Sequence, residues 1–211
     1  MITVHGRASS TNVQIVMWTI AELGLKHRRI DVGGPYGGNS TPEYLAMNPN
    51  GLVPVLQDGD LTMFESAAIL RYLGARYGSE PFWPEDPARR AKLDMWAEWT
   101  KTTFVTAIMP LFFQLVFTRE ANRNAAAIEA AETQLARVAA IADARIGDGP
   151  FLAGEDFTFA DIIFAHQLYR YATLPIRREP TPNLDAYYQR LGQRPTFAKH
   201  VMVSYEELRA K

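Results

Sequence analysis

Along the first third of the chain, apolar positions change period from two to 3.6 and back. In ITVHG, Ile2 and Val4 alternate with Thr3 and His5, which predicts a short strand. From Val13 the apolar positions Val13, Val16, Met17 and Ile20 recur at helical spacing, and Gly24 is placed to end that helix in the left-handed region. HRRIDV resumes as a strand, so the first unit reads as βαβ with a right-handed crossover between parallel strands. After the loop GGPYGGNS, Thr41 and Pro42 suit the cap and first residue of a short helix through EYLAMN. VPVL, the turn QDGD and LTMF then form a hairpin, and ESAAILRYLGARYG carries Ile69, Leu70, Leu73 and Tyr77 on one helical stripe.

The pattern changes near Gly78. SEPFWPEDP contains three prolines and reads as a linker. Beyond it only helical periods follow: ARRAKLDMWAEWTKTTF onward, AAAIEAAETQLARVAAIADARIG ending at Gly147, FADIIFAHQLYRYA, and NLDAYYQRLGQ. In DFTFADI, Thr158 and Asp161 resemble a capping box with aspartate in place of glutamate, and Phe157 and Ile162 take the two staple positions. This is a folding signal, in which the threonine hydroxyl is worth about 0.5–2 kcal/mol. The predicted fold class is α/β plus all-α. A βαβ-ββα unit in thioredoxin-like order occupies residues 1–78, a linker 79–87, and an all-helical bundle domain 88–211.

Composition narrows the chemistry. The chain has 211 residues, 47% of them hydrophobic, enough for a sizeable core. With 22 basic against 23 acidic residues the net charge is −1, which supplies no field to attract nucleic acid or an anionic membrane. There is no cysteine, which excludes disulfides, a cysteine nucleophile and thiolate metal sites, and fits a reducing cytoplasm. Any sulfur chemistry must use a borrowed thiol. The N-terminus lacks the basic region and apolar run of a secretion signal, so the chain is expected to start in its fold. FVTAIMPLFFQLVF is shorter than the ~20 residues of a membrane span and contains Pro110 and Gln114, so it reads as a core helix. His5, His27, His166 and His200 are scattered without partners at ligand spacing, which predicts no metal site. GGPYGG lacks the lysine and following helix of a phosphate-binding loop and reads as a flexible loop.

The polar knot from Ser9 to Asn12 lies between the first strand and first helix, where unpaired backbone N–H groups welcome an anion. The plain alternative is that Ser10, Thr11 or Asn12 simply caps the helix.

Taken together, NPNGLVPVLQDGDLTMFESAAILRYL, FLAGEDFTFADI and the layout of sheet, proline linker and helices resemble the soluble glutathione transferases. SSTNVQ resembles bacterial members in which a serine or threonine, followed two positions later by asparagine, replaces the catalytic tyrosine. The resemblance implies that glutathione is the thiol substrate. A free thiol of pKa near ~8.5 is a few per cent ionised at neutral pH, and lowering that pKa by about 2 units needs roughly 2.7 kcal/mol. One charge-assisted hydrogen bond of about 1.5–3 kcal/mol plus a helix N-terminus could supply it. Family position favours Ser10 as the donor to sulfur and Asn12 as a second donor, with Ser9 as the alternative.

The resemblance further implies a cis bond between Val53 and Pro54, turning the valine backbone toward the cysteinyl part of the tripeptide. It assigns Glu65 and Ser66 to the two ends of the γ-glutamyl zwitterion, helix capping being their ordinary role. Asn39 matches a glutamine that touches the tripeptide in related bacterial proteins. Leu52 departs from the lysine that meets the glycyl carboxylate in many relatives. A small hydrophobic electrophile is expected against the helical half, where Phe104, Ile108 and Phe112 lie at helical spacing and could line an apolar pocket with Tyr171. Trp96 and Trp99 read as packing residues. The implied activity is thiol conjugation, the alternatives being reduction of disulfides or peroxides by the same thiolate, or a non-catalytic binding module. The resemblance also implies a two-fold homodimer, for which Met63 and Phe64 are interface candidates.

Overall fold

The computed structural model describes residues 1–210. Strands β1 (Ile2–His5), β2 (His27–Ile30), β3 (Val55–Asp58) and β4 (Leu61–Phe64) form one sheet in the order β2-β1-β3-β4. β1 runs parallel to β2 with Ile2 opposite His27, while β3 is antiparallel to both β1 and β4. Helix α1 (Thr11–Glu22) makes the crossover from β1 to β2, α2 (Pro42–Met47) follows the glycine-rich loop, and α3 (Ser66–Tyr77) follows the hairpin. The neighbours Val55 and Leu56 are both fully buried, and in a strand they point to opposite faces. Leu56 joins Val13, Val16, Ile20, Ile69 and Leu73 under α1 and α3, and Val55 joins Val32 and Tyr44 from the side of α2. Tyr77 departs from the predicted buried stripe. It is 38% exposed, as the last residue of α3, where its hydroxyl donates to Asp58 at the end of β3.

The helical half begins with one continuous rod from Pro87 to Phe117, long and apolar enough to cross a membrane on composition alone. Its inward positions, among them Leu93, Ala97, Phe104, Ile108 and Leu111, instead fill the bundle core, as a core helix should. The rod comprises α4 (Pro87–Trp99), a π-helical turn at Thr100–Phe104, α5 (Val105–Phe112) and a second π turn at Phe113–Phe117. After α6 (Ala125–Ile146) the chain turns at Gly147, whose φ of 53° is easy only for glycine. The single helix expected for FADIIFAHQLYRYA is two, α7 (Phe159–Ala165) and α8 (Leu168–Thr173). The break is held by His166, whose Nδ1 bonds the Ile163 carbonyl at 2.6 Å, and by Gln167, whose amide donates to the Thr11 hydroxyl at 3.1 Å. Helices α9 (Pro182–Gly192) and α10 (Pro195–His200) complete the bundle, the latter a short element that the periodicity did not predict.

The start of α7 is built as its sequence suggests. The backbone N–H and hydroxyl of Thr158 both donate to one oxygen of Asp161, at 2.8 and 3.1 Å. The Leu152 N–H and the Tyr187 hydroxyl donate to the other, each at 2.8 Å. Asp161 is wholly buried, and that burial pushes its pKa up against the four bonds that favour the carboxylate. The two halves share one core: Ile15, Trp18 and Leu70 lie in the same apolar cluster as the bundle. Trp18 packs edge-on against Phe197 with ring centroids 5.0 Å apart, and Trp99 stacks on Phe164. Trp96 and Trp99 thus serve packing, as expected.

Candidate functional site

Three spaces meet where α1 begins. Ser10 stands at its N-cap in an extended conformation (φ −80°, ψ 119°), yet its side chain makes no capping bond. The side chains of Thr41, Asp86 and Asn124 do cap their helices. The Ser10 side chain instead borders two cavities, one of about 220 Å³ against the glycine-rich loop and one of about 360 Å³ against the helical half. A hydroxyl that leaves the backbone N–H groups of a helix start unspent, and faces open space beside them, can donate to a ligand anion there. Ser9 is placed otherwise. Its hydroxyl donates to the Glu207 carboxylate, its carbonyl accepts from Arg170 at 3.0 Å, and it lines none of these spaces. The expectation that Ser9 could serve as the alternative thiol donor is therefore corrected: its proton is committed to a carboxylate.

Asn12 is the second residue of α1 and borders both cavities as well as a third, about 90 Å³, that continues toward α3. Its side-chain oxygen accepts from Ser66 at 3.1 Å and from Lys101 at 2.7 Å, which leaves its amide N–H groups as donors. Lys101 also lies 3.4 Å from the Ser66 hydroxyl. The third space is walled by Val53, Pro54, Glu65 and Ser66, so the structure brings together the residues that the resemblance names. The Val53–Pro54 bond is cis. Glu65 is the one non-glycine residue with positive φ among the described residues, at φ 70° and ψ 105°. An L-residue held in that region costs of order 1–3 kcal/mol, and such residues cluster at ligand sites. Asn39 borders the 220 Å³ cavity while its amide donates to the Gly51 carbonyl at 2.7 Å. Leu52 exposes 65% of its surface, with its carbonyl fixed by the Tyr44 hydroxyl and the Asn48 amide, both at 2.8 Å.

The expected apolar pocket needs correction. Phe104, Ile108 and Phe112 are between 0% and 2% exposed, and Tyr171 is buried with its hydroxyl against Thr181. All four belong to the bundle core, because the most apolar stripe of an amphipathic helix turns inward. The adjacent stripe, Lys101, Val105 and Met109, faces the 360 Å³ cleft, joined by Phe117, Gln167 and Leu208. Arg7 and Arg170 complete its lining. Lys101, Arg7 and Arg170 carry no signal in local spacing. In the structure Lys101 sits on the π-helical turn at Thr100–Phe104, and such turns recur at functional sites. Burial lowers the Lys101 pKa, opposed by the nearby carboxylates of Glu65 and Glu98. Burial first and then repulsion from Arg7 bring Arg170 down to about 10. A larger groove of about 560 Å³, bordered by Ser79–Phe82, Glu155, Asp156 and Arg194, runs along the linker and shares no residue with the Ser10 spaces. Among the described residues no group of three histidine or acidic side chains is placed to hold a metal.

Comparison with known proteins shows the family. Residues 9–76 match the family described as glutathione S-transferase, N-terminal domain, and residues 104–195 match glutathione S-transferase, C-terminal domain. Glutathione S-transferase GstB of Escherichia coli K12 is 40% identical over 96% of this chain and 99% of its own length. Glutathione S-transferase 3 of Zea mays is 34% identical over 95% and 93%. Among solved structures, a theta-class glutathione S-transferase from Xanthomonas axonopodis pv. citri, with glutathione bound, superposes with a TM-score of 0.91 at 44% identity, covering 96% of this chain and 98% of that one.

Proposed function

Because the chain belongs to the soluble glutathione S-transferase family, we propose that Ser10 and Asn12 hold the sulfur of glutathione as a thiolate at the start of α1. The protein is a glutathione transferase, and glutathione is its thiol substrate. The observation that carries the site assignment is the Ser10 hydroxyl, which sits at a helix N-cap, does not cap, and borders both large cavities. As the tripeptide's thiol loses its proton to water, the hydroxyl donates to the sulfur without itself ionising. The N–H groups of the first turn of α1 and the Asn12 amide add to the same stabilisation.

The remaining polar residues divide the tripeptide between them. Glu65 suits the γ-glutamyl ammonium, and Ser66 suits its carboxylate together with the first N–H groups of α3 and the ammonium of Lys101. The Val53 backbone pairs with the cysteinyl unit as an added strand, and Asn39 lies along the groove toward Leu52. The thiolate then faces the 360 Å³ cleft, where a small electrophile is received. The assembly proposed is a two-fold homodimer in a reducing cytoplasm.

Titrating the thiolate absorbance of bound glutathione tests this reading. Ser10→Ala should raise the apparent thiol pKa by about 1–2 units, the value of one charge-assisted bond. An unchanged titration rejects Ser10 as the activating group.

A further inference from the structure

The cleft beside Ser10 contains two guanidinium groups without counter-charges of their own. Arg7 and Arg170 both line it, and neither takes part in an ion pair among the described residues. The Arg7 Nε is buried with no hydrogen-bond partner. The Arg7 side chain packs against Gly34, where a Cβ would lie 3.0 Å from Nε, so side-chain-free backbone makes room for it. Arg170 is 6% exposed, donates once to the Ser9 carbonyl, and lies 3.7 Å above the centre of the Phe112 ring. The carboxylate that acts on Arg7 is that of Glu207, which already accepts from Ser9. One carboxylate near Arg7 and no ion pair at Arg170 leave positive charge uncompensated in a recess, a costly arrangement unless a ligand completes it. Val105, Met109, Phe117 and Leu208 supply the opposite, apolar wall.

From this we infer that the electrophile is a small molecule with an apolar body and a carboxylate, seated with the carboxylate between Arg7 and Arg170 and the reactive carbon toward Ser10. The inference rests on the thiol-site reading above and specifies its second substrate. The forked N–H groups of arginine match a carboxylate in pairs, and an anion replaces the missing counter-charge. With an aryl chloride as the electrophile, the glutathione thiolate forms a C–S bond at the carbon bearing chlorine. The C–Cl bond then breaks and chloride leaves with the bonding pair. The carboxylate is spectator and handle.

The test compares 4-chloro-3,5-dinitrobenzoate with its methyl ester as electrophiles for the full-length enzyme, each kcat/KM divided by the uncatalysed rate with glutathione. The normalised value for the acid should exceed that for the ester by about tenfold or more. Arg7→Gln should lower the acid's value at least fivefold more than the ester's, with Arg170→Gln doing the same if it folds. An ester preference in the wild type overturns the inference and leaves the thiol site standing. An equal loss for both compounds in Arg7→Gln also overturns it, because Arg7 would then serve the thiolate that the two reactions share. Turnover of neither compound defeats the transferase site itself, and this inference with it.

Discussion

Helices α7 and α1 both start from a hydroxyl residue, and they use it in opposite ways. At α7, Thr158 and Asp161 close upon each other, and every bond of the buried carboxylate is made inside the fold. At α1, Ser10 occupies the same position relative to its helix and makes no such bond. The difference lies in what surrounds the cap. α7 starts in the interior, where an unmade hydrogen bond costs about 1–3 kcal/mol, whereas α1 starts beside open cavities. A closed cap spends its polarity on stability, and the open one at Ser10 leaves its hydroxyl free for the proposed ligand.

The contrast can be broken most severely at Asp161. Asp161→Ala strands four buried donors and should cost about 4 kcal/mol or more, enough to unfold a protein of ordinary stability, as urea denaturation would register. Ser10→Ala should reduce kcat/KM with a neutral chlorodinitroarene about 10- to 100-fold while shifting the urea midpoint by less than about 0.5 kcal/mol of stability. A comparable loss of stability would make Ser10 a structural cap after all.

The far end of α7 supplies the next effect. His166 is buried there, and burial, with Lys101 and Arg170 nearby, lowers its pKa from 6.5 to about 3. Because the folded pKa lies below the unfolded one, the unfolded chain binds the proton more readily between those values. His166 therefore removes stability as pH falls from about 6.5 toward 3, by about 1.4 kcal/mol per unit, and removes none above that window. Denaturation of His166→Gln at pH 4 to 6 should show a correspondingly shallower slope. The smallest effect is Thr158→Val, about 1 kcal/mol in the same assay with the kinetics of folded enzyme unchanged, since that hydroxyl serves Asp161 alone.

The same contrast explains what was legible in the sequence. Elements whose partners lie within a few residues announced themselves: the hairpin, the Thr41 cap and the Thr158–Asp161 box, whereas Ser10 and Ser66 were singled out by the family resemblance. Lys101 reaches Asn12 across 89 residues, and Arg170 reaches Ser9 across 161. Periodicity cannot report such meetings, because it records only which face of a helix is buried. Along the π turn and α5 the most apolar stripe, Phe104, Ile108 and Phe112, is the buried one. The stripe that meets the cleft is the neighbouring one, marked by a single lysine. The split between α7 and α8 was hidden for a related reason, since it depends on Gln167 finding Thr11 in the other half of the chain.

Arg7, Ser10 and Asn12 border the groove against the glycine-rich loop and the cleft against the helices alike. They form a party wall between two rooms. On the proposed reading, whatever occupies one room becomes part of the furniture of the other, and selectivity becomes a property of the pair of reactants. A ranking of electrophiles obtained with one thiol should then not transfer to another.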